Sequence, residues 1–340
     1  GLDVATIGEA YIALQSGVPA SDLTLHGNNK SMEELRYAVD NGIGKVVIDS
    51  FDEIDKIEHL YATTKTPIKA LVRVTPGVEA YTHKYVTTGQ VDSKFGFTVQ
   101  NGQAGKAIER ARSSGAIDLI GLHAHIGSQI FTSDSFRKST DILVKLAEHF
   151  GLPELCVGGG LGVPYLNDES SIPISEWGAI VHDISSSSSA ALKITSEPGR
   201  SIVASSAVTI YTVGTIKEIE GVRTYVAVDG GMHDNPRPAL YGSDYETFLA
   251  RSINEPRKQK ITLVGKHCES GDVLVKEGDI QDDLVVGDLL VTPVTGAYGH
   301  SMGSNYNKVL RPAVVFVQGG KSRLVLRREE LSDLLNSDVT

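Results

Sequence analysis

A carboxylate, a proline, a glycine and an arginine stand side by side at Glu197-Pro198-Gly199-Arg200. A carboxylate there can keep a ring nitrogen protonated, because an opposite charge favours the charged form. The amides of Gly199 and Arg200, with the guanidinium, can hold a phosphate. Alone, such a tetrapeptide is also an ordinary surface turn. Its setting argues for more. It follows Ala190-Ala191-Leu192-Lys193-Ile194, which reads as a buried strand. A second loop of the same competence, Gly158-Gly159-Gly160-Leu161-Gly162, follows the apolar run Leu155-Cys156-Val157. Its spacing differs from the dinucleotide fingerprint, whose third glycine falls further along, but it can form a nest of backbone amides around a phosphate.

Other candidates also sit at strand ends. His123 and His125 alternate to the same side in His123-Ala124-His125-Ile126-Gly127-Ser128-Gln129. Three uses stay open for them: a metal pair, hydrogen-bonded core histidines, or a histidine stacked on an aromatic cofactor. No carboxylate or cysteine cluster in the sequence completes a metal site, so no metal is expected. In the loop Asp229 to Tyr241, Arg237 and Tyr241 can hold a carboxylate, although a loop arginine is commonly just solvated. Cys268, flanked by His267 and Glu269, is a candidate for proton transfer, whereas Cys156 reads as buried and inert. Gly296-Ala297-Tyr298-Gly299-His300 offers a phenol.

The elements that must carry these residues alternate through the first two-thirds of the chain. Short apolar runs end near Ala5, His26, Asp49, Val74, His123, Val157 and Ile194. Helix-period segments separate them, and capping boxes open three helices at Thr6/Glu9, Ser31/Glu34 and Ser50/Glu53. A long loop runs from Thr75 to Phe97, and Ser185 to Ser189 reads as a flexible loop. Such strand–helix units predict a (β/α)8 TIM-type barrel lacking its first unit, over residues 1–201. The chain begins at Gly1 without an initiator Met, so the missing strand is expected upstream. From residue 202 to 340 the runs 207–213, 224–228, 261–264, 289–291 and 313–317 predict a C-terminal all-β domain, with a short helix at Arg328 to Leu335.

Totals set the bounds. At 340 residues two domains are expected. A net charge of −10 argues against nucleic acid or an anionic membrane as partner. No apolar run approaches the ~20 residues of a membrane helix and no secretory leader is evident. Two cysteines in unlike contexts give no disulfide framework and fit a reducing compartment, hence a cytoplasmic location.

Eight stretches together resemble the pyridoxal-phosphate-dependent decarboxylases of the alanine racemase-like fold, in their diaminopimelate branch. They are HGNNKS (26–31), DSKFGF (92–97), GLHAHIGSQ (121–129), GGGLGVPY (158–165), SEPGR (196–200), VDGGMHDNPRPALY (228–241), CESGD (268–272) and GAYGHSMGSNYN (296–307). They occur in family order over nearly the whole chain. The resemblance implies that His125 stacks on the pyridoxal ring and that Glu197 pairs with its nitrogen. Ser128, Gly158, Gly159, Gly160, Gly199, Arg200 and Tyr298 would surround the phosphate. Arg200, Arg237, Tyr241 and Tyr298 would bind substrate, the first three through its distal carboxylate, and Glu269 would read the amino group at the reacting centre. Cys268 would donate the proton, reaching in from the partner subunit of a homodimer. The implied substrate is meso-diaminopimelate and the product L-lysine.

A racemase of this fold carries an arginine where Glu197 stands, so Glu197 points to decarboxylation. The family's cofactor-bearing lysine lies on the first barrel strand and is expected upstream of Gly1. Lys30 and Lys94 belong to motifs the family has in addition to it. Carboxynorspermidine, ornithine or arginine are the alternative substrates. A catalytically silent, truncated or merely cofactor-binding relative is the alternative class.

Overall fold

The computed structural model describes residues 1–78, 92–189 and 191–339. Much of the long loop predicted between Thr75 and Phe97 lies outside these residues, as does Ala190. Two compact units are present: Gly1–Gly162 with Ser171–Gly199, and Val163–Ser170 with Arg200–Thr340.

In the first unit strands and helices alternate: β1 (Leu2–Val4), α1 (Ile7–Gln15), β2 (Leu23–Leu25), α2 (Met32–Asn41), β3 (Lys45–Ile48), α3 (Phe51–Thr64), β4 (Ile68–Thr75), β5 (Phe97–Thr98), α4 (Gln103–Ser113), β6 (Ile117–His123), α5 (Ser133–Phe150), β7 (Glu154–Cys156), α6 (Ile174–Ser186) and β8 (Lys193–Thr195). The strands are parallel and ordered β1-β2-β3-β4-β6-β7-β8, with β5 paired only to β4. This is the curled sheet of a TIM-type barrel, open between β8 and β1. The curl brings His26, after β2, to within 3.3 Å of Glu197, after β8. The seventh strand is shorter than predicted, starting at Lys193.

The helix starts follow side-chain chemistry. Ser31 and Glu34 form the full reciprocal cap. Thr6 accepts from the Glu9 amide, while the Glu9 carboxylate turns to the Ala5 amide at 2.7 Å. Ser50 also caps its helix, but Glu53 is buried and committed elsewhere. The serine run differs from prediction. Ser185 and Ser186 close α6, and Glu148 accepts from the Ser188 hydroxyl and the Ser189 amide at 2.7 and 2.8 Å. A carboxylate on α5 collects the donors that would otherwise have left this stretch loose.

After α7 (Gly199–Val203), whose first residue closes the first unit, the second unit adds β9 (Thr209–Ile219), β10 (Arg223–Val228), α8 (Arg237–Tyr241), β11 (Phe248–Leu249), β12 (Gln259–Val264), β13 (Val273–Ile280), β14 (Leu289–Thr292), β15 (Val314–Gln318) and β16 (Lys321–Leu326). Six strands form one sheet in the order β11-β14-β9-β10-β12-β13, and β15 pairs with β16 alone. Tyr211, Val213, Val226, Val228, Leu263 and Leu290 fill its core. The predicted C-terminal helix is a 3-10 turn, Leu331–Leu335. Among the described residues no helix is long and apolar enough to cross a membrane.

Candidate active site

Three strand ends of the first unit converge on Glu197. His123, the last residue of β6, approaches Oε2 through Nε2 at 3.1 Å. The Cys156 thiol, at the end of β7, donates to Oε1 at 3.0 Å. His26 Nε2 lies 3.3 Å from Oε1 and 3.5 Å from Asp3. Burial raises the Glu197 carboxyl, but His123, then His26 and the Cys156 thiol outweigh it and hold the group well below the usual carboxylate range. Burial lowers the His123 imidazole, and the facing Glu197 carboxylate pulls against that shift. The cluster is therefore a carboxylate that stays ionised at neutral pH and below.

The tertiary structure corrects one expectation here. The sequence offered His123 and His125 no third ligand, yet the fold sets His26, His123 and Glu197 with ligand atoms within 4.8 Å of one another. His123 takes the role of a hydrogen-bonded buried histidine. His125 separates from it, its Nδ1 accepting from the Gly159 amide at 3.3 Å. Cys156 is buried as predicted, but it touches Glu197.

The glycine run has a steric cause. A Cβ at Gly159 would lie 2.0 Å from the Glu197 carbonyl oxygen, and one at Gly160 2.1 Å from the Gly127 oxygen. Only glycine lets the loops after β6, β7 and β8 approach this closely. The result is a cradle of main chain beside His125 and the ionised Glu197. These residues fit a pyridoxal ring whose nitrogen must stay protonated.

Burial, then Arg73 and His123, push His125 down to about 4. Unfolding releases it to its ordinary value near 6.5. The unfolded chain thus binds the extra proton between these values, and stability is lost as pH falls through that window. At pH 5 the penalty is about 2 kcal/mol. In urea unfolding of the apoprotein, His125→Asn should narrow the stability gap between pH 7 and pH 5 by about that amount. An unchanged gap contradicts the assignment.

A further set of residues was not singled out from sequence. Arg73 lies 3.6 Å from Asp49 and 4.4 Å from the Phe95 ring, and the Gly96 amide donates to Asp49 at 2.8 Å. DSKFGF thus helps fix Arg73, whose pairing with residues far apart in sequence gave no local signal.

Lys30 is buried. Its ammonium reaches the Gly27 carbonyl at 2.6 Å, the Val47 carbonyl at 2.8 Å and Glu53 at 2.9 Å. Three acceptors use all three of its N–H groups. Lys30→Met should cost about 3–5 kcal/mol in denaturant unfolding, since Glu53 is left buried without its partner. Borohydride reduction of the holoprotein should leave Lys30 unlabelled by peptide mapping. Label on Lys30 would contradict its role as a structural clamp.

In the second unit, Tyr165 joins the two predicted arginines. Arg200 donates to its hydroxyl at 2.9 Å, and the Arg237 guanidinium lies 4.2 Å from its ring centre. Arg237 is buried and also donates to the Tyr245 hydroxyl. Tyr298 packs under Arg200 at 4.6 Å, in a left-handed conformation with φ 57 that a tyrosine rarely adopts. Tyr241 ends α8, the short helix that Arg237 begins. Cys268 and Glu269 are exposed on the loop between β12 and β13, where Glu269 accepts from the Tyr306 hydroxyl. Tyr165 and Tyr245 were missed in sequence. Tyr165 closes the GGGLGVPY stretch, which was its only signal.

Residues 1–204 match the family model described as the pyridoxal binding domain of pyridoxal-dependent decarboxylases. The diaminopimelate decarboxylase of Bacillus subtilis is 45% identical over 99% of this chain and 79% of the relative. The chain belongs to the diaminopimelate decarboxylase family. Among solved structures, the diaminopimelate decarboxylase of M. jannaschii in complex with L-lysine matches at a TM-score of 0.92 with 31% identity, over 100% of this chain and 79% of that one. The Helicobacter pylori enzyme with L-lysine matches at 0.90 with 30% identity, over 98% and 83%. The family's cofactor is pyridoxal phosphate, which suits the cradle and carboxylate described above.

Proposed function

We propose that the chain decarboxylates meso-2,6-diaminopimelate at its D-centre, giving L-lysine and carbon dioxide with pyridoxal 5'-phosphate as cofactor. The observation that carries this reading is the ionised Glu197 beside the glycine cradle. The cofactor, when bound, supplies a sink for the electron pair left on the α-carbon as carbon dioxide departs. Glu197 keeps the proton on the ring nitrogen that makes this sink strong. His125 packs on the ring face. Ser128, Gly158, Gly159, Gly160, Gly199, Arg200 and Tyr298 hold the phosphate. Arg200, Arg237 and Tyr241 hold the distal carboxylate, and Tyr165 keeps the two guanidiniums in register. Glu269 binds the amino group at the reacting carbon. Cys268 delivers the proton that takes the place of the lost carboxyl.

The working form we infer is a cytoplasmic homodimer with shared active sites. Cys268 and Glu269 are exposed, as residues serving a partner's site would be. The hairpin β15–β16 leaves Phe316 57%, Val317 73% and Leu324 60% exposed. Two strands alone are marginal in water, so such a hairpin favours a covering partner. Both cysteines are free, which suits a reducing compartment. A panel of meso-diaminopimelate, carboxynorspermidine, ornithine and arginine tests the substrate. Release of carbon dioxide and L-lysine from the first is expected. Turnover of carboxynorspermidine without turnover of diaminopimelate would sink this choice.

A further inference from the structure

Cys268 and Glu269 occupy a loop without regular structure, yet proton delivery demands a fixed thiol. Main-chain bonds close the loop's ends: the Gly265 amide donates to the Asp272 carbonyl at 2.9 Å and the Lys266 amide to the Gly230 carbonyl at 3.0 Å. The buried Asp272 carboxylate accepts from the His267 and Met232 amides at 2.9 and 2.7 Å. These bonds set the backbone on either side of the thiol. They leave the His267 side chain, next to Cys268, to be explained.

That ring is held on three sides. Asn307 Nδ2 lies 3.3 Å from His267 Nδ1, His267 Nε2 lies 2.9 Å from His233 Nδ1, and the Tyr306 ring packs at 5.2 Å. The same Tyr306 donates through its hydroxyl to Glu269. An amide nitrogen can only donate, so His267 Nδ1 accepts and its proton sits on Nε2. His267 therefore donates to His233 Nδ1, and the His233 proton sits on Nε2, 3.4 Å from Asp234 Oδ2. Asp234 is fixed in turn by the Tyr211 hydroxyl at 2.6 Å and the Gly231 amide at 3.0 Å. The two bonds from Asn307 to His267 and from His267 to His233 thus share one consistent donor and acceptor assignment.

We infer that Asn307, His267 and His233 form a directed hydrogen-bond chain, with Asp234 beside its far end, that positions Cys268 and Glu269, with His233 and His267 as positioning residues for the proton-delivery step. Burial of His233 keeps its imidazole neutral, pushed down to about 4, as the chain requires. The proposed step rests on the decarboxylase reading given above, whereas the geometry of the thiol does not.

Asparagine places an oxygen where histidine has Nδ1, so His233→Asn keeps the acceptor, while His233→Phe keeps the bulk and loses it. In the holoenzyme, His233→Phe should lower kcat about 10-fold, as misplacement of a reacting group does, with KM for diaminopimelate and cofactor absorbance little changed. His233→Asn should restore most of kcat. Without substrate, the alkylation rate of Cys268 by iodoacetamide, followed by peptide mapping, should shift more than about 3-fold in His233→Phe and stay near wild type in His233→Asn. Equal rates in all three proteins, or equal losses in both variants, overturn the inference. If His233→Phe does not fold, His267→Leu breaks the same bond from the other side and is read the same way. Wild-type protein that releases no carbon dioxide from diaminopimelate contradicts the function instead, and the alkylation comparison still decides the chain.

Discussion

Glu197→Gln is expected to lower kcat for diaminopimelate about 10³-fold while the cofactor stays bound, the scale for removing one preorganised electrostatic partner. The substitution keeps the size of the side chain and an oxygen for the His123 Nε2–H. What it removes is the negative charge. Each pKa unit lost by the facing ring nitrogen is 1.36 kcal/mol of preference for its protonated form. A neutral ring nitrogen draws the α-carbon electron pair poorly, so the cost falls on the chemical step rather than on binding. The phosphate contacts proposed above do not involve the Glu197 side chain, so cofactor absorbance should survive. A variant retaining kcat within 10-fold would show that the ionised carboxylate is not what drives the reaction.

Cys268→Ala carries the second large effect. General acids contribute about 10²–10⁴-fold, and kcat for lysine formation should fall within that range. Cofactor binding should persist, because no cofactor contact is assigned to the thiol. In a single turnover, carbon dioxide should appear in a burst while lysine release lags, because the proton arrives after the carboxyl leaves. Loss of the bound cofactor's absorbance in this variant would contradict the role.

The difference between what the sequence revealed and what it hid follows the range of the interactions. Ser31 with Glu34 is a contact three residues long, and its cap is readable as a string. The parallel strands were legible because burial on both faces makes runs such as Val46-Val47-Ile48 continuously apolar. β13 and β16 were missed, since Val273–Ile280 and Lys321–Leu326 carry charges among their apolar residues. Glu197, Arg200, Arg237 and Cys268 stood out by residue type within unusual stretches. Their companions did not. His26 meets Glu197 only when the sheet curls, Cys156 meets it only when β7 pairs with β8, and Tyr165 joins two arginines from a position 35 residues before one of them. Glu53 likewise looked like a simple cap until burial beside Lys30 gave it another partner. Pairings of this kind are written in the tertiary structure.

Nitrogen-15 NMR of the enzyme reconstituted with ring-labelled pyridoxal phosphate reads the protonation of the nitrogen directly. With Glu197 ionised opposite it, the resonance of a protonated ring nitrogen should persist at neutral pH and above, and give way to that of the neutral nitrogen in Glu197→Gln. A neutral ring nitrogen in the wild-type protein at pH 7 would contradict the role of Glu197 and the electron sink built on it.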